Sequence, residues 1–372
     1  MANPAVGAAA SSGSGLPASQ GARPFWAASN YYTQKNNDQL NGGNTYQLTT
    51  TQKNFNIRID SGGFLRGVRV QVRSTGGVGG TVNADNPWNI FQNLIFNNVG
   101  NAQIFNQTNG YEAMLYNAYG RPWEGDPTQA YDYSQSINPS FTLKLYPEIR
   151  HTLGALSNTD ARLQYRLQGN FNTFANTITS GSTAPTLTTT VFQDTWAQPD
   201  TLDLQGIQNE AAPVGAFAAQ SLRRNQTFAL NGANSNNTFI FTEGVGNLVR
   251  NVFIVVRDSN GVRQDYLSDP LDWYLDARIL GHYTPDVVQQ YMEDFYGTTG
   301  TLRRPTGVYV FPRFFNPGHM TGQGWMETSN ATGMKFQSAT AAGATNTSGG
   351  TINVFSDEVI PLGEIPVELE DL

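Results

Sequence analysis

The sequence predicts an all-β fold of two tandem eight-stranded β-sandwiches of the jelly-roll type, with one short helix in each. Three observations carry that reading. Short runs with period-two apolar patterning follow one another between Gly, Asn, Asp and Pro turns. Helical periodicity occurs at only two places. The landmarks of the first half return in the same order in the second.

Residues 1–22 are Ala, Ser, Gly and Pro without hydrophobic period, which predicts a flexible arm over 1–40. Arg23, Phe25 and Trp26 form an abrupt aromatic and basic anchor at its end. A first sandwich is expected over 41–205, a connector over 206–226, a second sandwich over 227–363 and an acidic tail over 364–372. In the first sandwich Phe55, Ile57 and Ile59 alternate with polar residues, as do Val68, Val70 and Val72 with Arg69, Gln71 and Arg73 behind them. One apolar face at period two marks a half-buried strand. Further strands are predicted over 90–96, 141–146, 163–167 and 187–192. The run Asn109-Gly-Tyr-Glu112 reads as a capping box opening a helix that closes at Gly120. A second helix starts with Thr284 as cap and Pro285 in the first turn, places Val288, Tyr291, Met292 and Phe295 on one face, and stops at Gly297.

The duplication rests on ordered pairs. Thr45–Leu48 answers Thr227–Leu230, and Phe64–Arg73 answers Leu248–Arg257 with Arg66/Arg250, Val68/Val252, Val72/Val256 and Arg73/Arg257 identical. Asp85–Trp88 answers Asp269–Trp273, and Val191–Asp194 answers Val354–Asp357. The copies differ at one informative place: Phe253 and Val255 stand where the first copy has Arg69 and Gln71. A strand apolar on both faces is expected to be buried on both, making Phe253 and Val255 candidates for a subunit or inter-domain contact.

Composition closes several functional classes. The 372 residues contain no cysteine, so disulfide scaffolds and thiol chemistry fall away. Only 14% of residues are charged, and polarity comes from Asn, Gln, Thr and Ser. Six acids between Asp357 and Leu372 supply most of the net charge of −7, so the rest of the chain is close to neutral. A basic surface for nucleic acid is absent, and no specific nucleic-acid binding is expected. Glu364, Glu368, Glu370 and Asp371 are candidate tail contacts, with Arg223-Arg224 or Arg303-Arg304 of a neighbour as possible partners. The longest apolar run, Val252–Val256, is far short of the roughly 18 residues that cross a membrane. The first twenty residues lack the cationic region and apolar core of a secretory signal. His151, His282 and His319 show no ligand spacing, and no nucleophile elbow, phosphate loop or zinc helix occurs. The carboxylate pairs Glu124/Asp126 and Asp269/Asp272 are what any acidic loop offers. No catalytic residue, metal or cofactor is expected, and the chain is read as a non-enzyme.

Tandem sandwiches, a small helix in each, a small-residue arm and Asn/Gln/Thr-rich strands together resemble the double jelly-roll major capsid proteins of tectivirus-like phages, which build icosahedral shells over an internal membrane. The resemblance spans about residues 40–363. It implies a virion protein, made in the host cytoplasm, that forms homotrimers whose six jelly rolls give pseudo-hexagonal capsomers. It also implies neighbouring capsomers and minor capsid or penton proteins as partners. By the same resemblance Arg23, Phe25 and Trp26 would lie on the inner, membrane-proximal side. The alternative reading is a carbohydrate-binding tandem β-sandwich of a cell surface, supported by the 12% aromatic content.

Overall fold

The computed structural model describes residues 22–38, 45–83, 85–120, 137–149, 155–181, 183–204, 206–212, 219–242, 245–296, 305–313 and 324–361. In chain order the first half contains α1 (Phe25–Ala28), β1 (Tyr31–Lys35), β2 (Thr45–Gln47), β3 (Lys53–Arg58), β4 (Phe64–Thr75), β5 (Thr81–Val82), β6 (Phe91–Asn97), β7 (Gln103–Thr108), α2 (Gly110–Leu115), β8 (Ser140–Leu145), β9 (Arg166–Phe171), α3 (Phe174–Thr177), β10 (Ile178–Ser180) and β11 (Thr186–Trp196). The second half contains β12 (Ala219–Ala229), β13 (Asn236–Phe241), β14 (Leu248–Arg257), β15 (Leu271–Leu275), β16 (Arg278–Tyr283), α4 (Pro285–Tyr296), β17 (Val308–Pro312), β18 (Met326–Glu327), β19 (Met334–Ala339) and β20 (Thr351–Pro361).

Strand order repeats between the halves. In the first, β1 and β2 lie along β11, followed by β4 and β8, while β3, β9, β6 and β7 follow one another in the facing layer. In the second, β12, β20, β14 and β17 form one layer and β13, β19, β15 and β16 the other. Counting β1 and β2 as one interrupted strand, each half interleaves early and late strands within both layers. That is the jelly-roll order.

Register confirms the sequence pairing of β4 with β14. In both halves a bulge interrupts the central pair: β11 skips Arg66 between Gly67 and Leu65, and β20 skips Arg250 between Asn251 and Val249. The facing residues are Asp194 and Asp357. The strands at the core alternate as predicted, with Val68, Val70 and Val72 fully buried against Phe141 and Leu143 of the same layer and the rings of Phe91 and Phe171 from the facing one. Each such ring removed from water contributes about 2–3 kcal/mol. In the second sandwich Phe336 stacks between Phe239 at 5.5 Å and Trp273 at 5.4 Å.

Several expectations change. Tyr31–Lys35, read from sequence as arm, is a strand of the first sandwich paired with β11. β12 starts at Ala219, inside the expected connector, and pairs with β20 over eleven residues. Polar strands of this kind carry too little apolar pattern to announce themselves. Helix α2 covers only Gly110–Leu115 and continues as a π-helical turn, Tyr116–Gly120. On α4 the buried face is Val288, Met292 and Tyr296, and Tyr291 is exposed.

Candidate functional site: the seam between the sandwiches

The two sandwiches meet edge to edge and face to helix. Strand β7 runs parallel to β12, with Phe105 opposite Arg223, so one layer of each half merges into a single nine-stranded sheet. Helix α2 and its π-helical turn then lie over β14 and β20. Asn109 caps the helix by accepting from the Glu112 amide at 2.8 Å, and the Glu112 carboxylate accepts from the Asn109 amide at 3.2 Å. The same carboxylate reaches across the seam to accept from Asn353 at 3.0 Å and Asn225 at 3.5 Å. Burial pushes the Glu112 carboxyl up from its ordinary pKa.

At the other end of this element the final carbonyls have no partner within the helix. Arg250 donates to the Gly120 carbonyl at 3.0 Å, and Asn251 donates to that of Tyr119 at 3.3 Å. A guanidinium at a helix C-terminus also complements the helix dipole. Arg250 is 1% exposed and pairs with Asp357 at 2.9 Å, while Arg223 approaches the other oxygen of Asp357 at 3.3 Å. Burial lowers the Arg250 pKa, and the Asp357 charge opposes that shift. The guanidinium of Arg223 also lies over the rings of Tyr116 at 4.1 Å and Phe105 at 4.7 Å. Above this ionic layer the ring of Phe253 stacks on Phe355 at 4.9 Å, and Tyr116 meets both edge-on at 5.2 Å. Farther along, Asp85 receives Arg263 at 2.6 Å and Arg257 at 3.0 Å across the seam.

The structure therefore places Phe253 against Tyr116 of the first sandwich, and Val255 beside it in a strand whose residues 252–256 are all fully buried. Phe25 is 2% exposed, packed with Phe64 and Ala155, and Trp26 lies edge-on to Phe25 at 4.6 Å and to Trp196 at 5.2 Å. Arg23 stays half-exposed and donates to the Ala27 carbonyl. The inner-face anchor expected from sequence is thus folded against the first sandwich, because two aromatic rings gain more from that small cluster than from water. Glu364, Glu368, Glu370 and Asp371 lie outside the described residues, as do His151, His319, Glu124 and Asp126. Asp357 and Glu358, counted with the acidic end in the sequence, are buried within β20. Arg223, a suggested partner for a neighbour's tail, is spent on Asp357. The sequence reading missed Arg250, Arg223, Glu112 and Asp85 as seam residues; the only signal was the identity of Arg66 with Arg250 and of Asp194 with Asp357.

Among the described residues no three His, Asp or Glu side chains gather as a metal site, and no helix is long and apolar enough to cross a membrane. His282 is exposed, its Nδ1 2.6 Å from Asp272.

No family model matches the sequence, and no curated protein matches it. Solved structures do. A chain of Sulfolobus Turreted Icosahedral Virus superposes with a TM-score of 0.61 at 11% identity, over 92% of this chain and 93% of that one. The chain is a double jelly roll. A chain of the PBCV-1 virus capsid gives 0.58 at 12% identity, over 89% and 94%. The major capsid protein of bacteriophage PM2 gives 0.51 at 10% identity, over 89% and 98%. The fold is shared along nearly the full length of each of these chains.

Proposed function

We propose that this chain is a major capsid protein, a virion shell subunit without enzymatic activity. The observation that carries the reading is the whole-length correspondence of both sandwiches with chains of viral capsids. A seam of buried rings and ion pairs suits that task, since it makes two sandwiches one rigid block. Joining them in one chain also removes part of the association entropy of a shell, about 4–15 kcal/mol per binding event. The low charge of the body suits lateral contacts between copies.

In the finer form of this reading, three chains place six jelly rolls in a pseudo-hexagonal capsomer, and capsomers tile an icosahedral shell with minor or penton proteins at its vertices. An internal membrane beneath the shell belongs to the same reading, drawn from the resemblance of the sequence to capsid proteins of membrane-containing phages. Light scattering on the purified chain is expected to give three times 40.6 kDa, with a hexagonal outline in negative stain. A monomer at all concentrations overturns the proposal. Lipid extraction from purified particles is expected to yield phospholipid; lipid-free particles would remove the membrane and leave the capsomer.

A further inference from the structure

The seam joins one edge strand from each sandwich, and among the described residues the counterpart of each in the other sandwich is unused. In the first sandwich β7 gives its free edge to β12 of the second. By strand order the counterpart of β12 is β1, and the counterpart of β7 is β16. Among the described residues β1 pairs only with β11, and β16 pairs only with β15. Each is therefore an open edge of the kind that accepts another strand. Each also shows a large exposed apolar side chain, Tyr31 at 38% on β1 and Ile279 at 60% on β16.

From these edges we infer that β16 of one copy lies parallel to β1 of the next, repeating between chains the contact that β7 and β12 make within one. The inference rests on the capsid-subunit reading and names the surface through which copies join. Such a contact is heterologous, so three copies close into a ring when the rotation between sandwiches permits, with no strand edge of this pair left over.

Register specifies which residues meet. Arg223 sits opposite Asp357 on β20, and Thr33 sits opposite Asp194 on β11, with the bulge next to both acids. Thr33 thus corresponds to Arg223. On the other edge Phe105 pairs with Phe96, which stands opposite Leu167. Arg278 pairs with Leu275, which stands opposite Met334. Leu167 faces Ile57 and Met334 faces Phe241, the matching positions of β3 and β13. Arg278 thus corresponds to Phe105, and the within-chain pair Phe105–Arg223 becomes Arg278 of one copy opposite Thr33 of the next. Both residues are exposed in the single chain.

The chain has no cysteine, so a pair introduced here reports on this contact alone. The full-length double variant Thr33→Cys with Arg278→Cys is expected to form intermolecular disulfides on mild oxidation, ending in a covalent trimer on a non-reducing gel. Each single variant should give no ladder. The displaced pair Thr33→Cys with His282→Cys should cross-link at least tenfold less, since four residues move the thiol about 13 Å along the strand. A native trimer, verified by light scattering, that cross-links no better at Arg278 than at His282 overturns the edge pairing and leaves the capsomer standing. A chain that stays monomeric at every concentration overturns both.

Discussion

Behind the core face of β4 stand Arg69 and Gln71; at the matching places of β14 stand Phe253 and Val255. In the first sandwich that face is partly open to water. Arg69 is 37% exposed and donates to Asp194 at 2.7 Å. In the second sandwich the same face is covered by Tyr116 of the first sandwich. The paired acids are both buried but differ in their partners. Asp194 accepts from Thr33, Tyr146 and Arg69, and although burial disfavours its charge, those bonds hold its carboxyl below the ordinary range. Asp357 has two buried guanidiniums instead. The same strand pairing thus carries a partly open face in one half and a covered one in the other, and the covered one is where the halves join.

Four measurements break or sharpen that comparison, the largest effect first. Phe253→Asp is expected to abolish cooperative folding, since losing the ring costs about 3–5 kcal/mol before an unpaired carboxylate is added to a dry layer. A normal thermal transition for that variant would show that the face of β14 is not sealed. Arg250→Ala is next, at about 3–5 kcal/mol by chemical denaturation, because it strips a buried acid of one partner and leaves the Gly120 carbonyl unsatisfied.

The third measurement uses pH. Burial pushes the Glu358 carboxyl up to about 7, with bonds from Ser356 and Asn247 opposing the shift. A folded pKa above the unfolded one means the native state binds the extra proton, so stability falls as pH rises from about 4.5 to 7 and then levels. Glu358→Gln removes that loss. Its melting temperature relative to the parent is expected to climb between pH 5 and pH 8, by at most about 3 kcal/mol in stability. An unchanged difference across that range would refute the protonated form. The smallest effect is expected for Arg69→Ala, at most about 1 kcal/mol and weaker in high salt, because the Arg69 guanidinium is partly exposed and buried Asp194 keeps its bonds from Thr33 and Tyr146. A cost equal to that of Arg250→Ala would erase the contrast between the two faces.

Much of the architecture was legible in the chain. The alternation through Val68, Val70 and Val72 announces β4, and the Asn109–Glu112 capping box opens a real helix. The repeat places β14 against β4 and β20 against β11. The misreadings share a cause. Asp357 and Glu358 look like the start of a solvated acidic end, yet they are buried, because their partners come from strands over a hundred residues away. Tyr31–Lys35 and the start of β12 look like arm and connector, yet such strands are held by their neighbours' backbone and need little apolar pattern of their own.

Local patterning by itself determined core strands such as β4 and β14 and the helices α2 and α4, because period, caps and turn residues act within a few positions. It also determined that β14 needs cover on both faces. Only the tertiary structure decided what supplies that cover, which charges are buried, and that β1 and β16 keep an open edge among the described residues. Those properties depend on burial, and burial is set by chain segments that meet only after the two sandwiches have closed on one another.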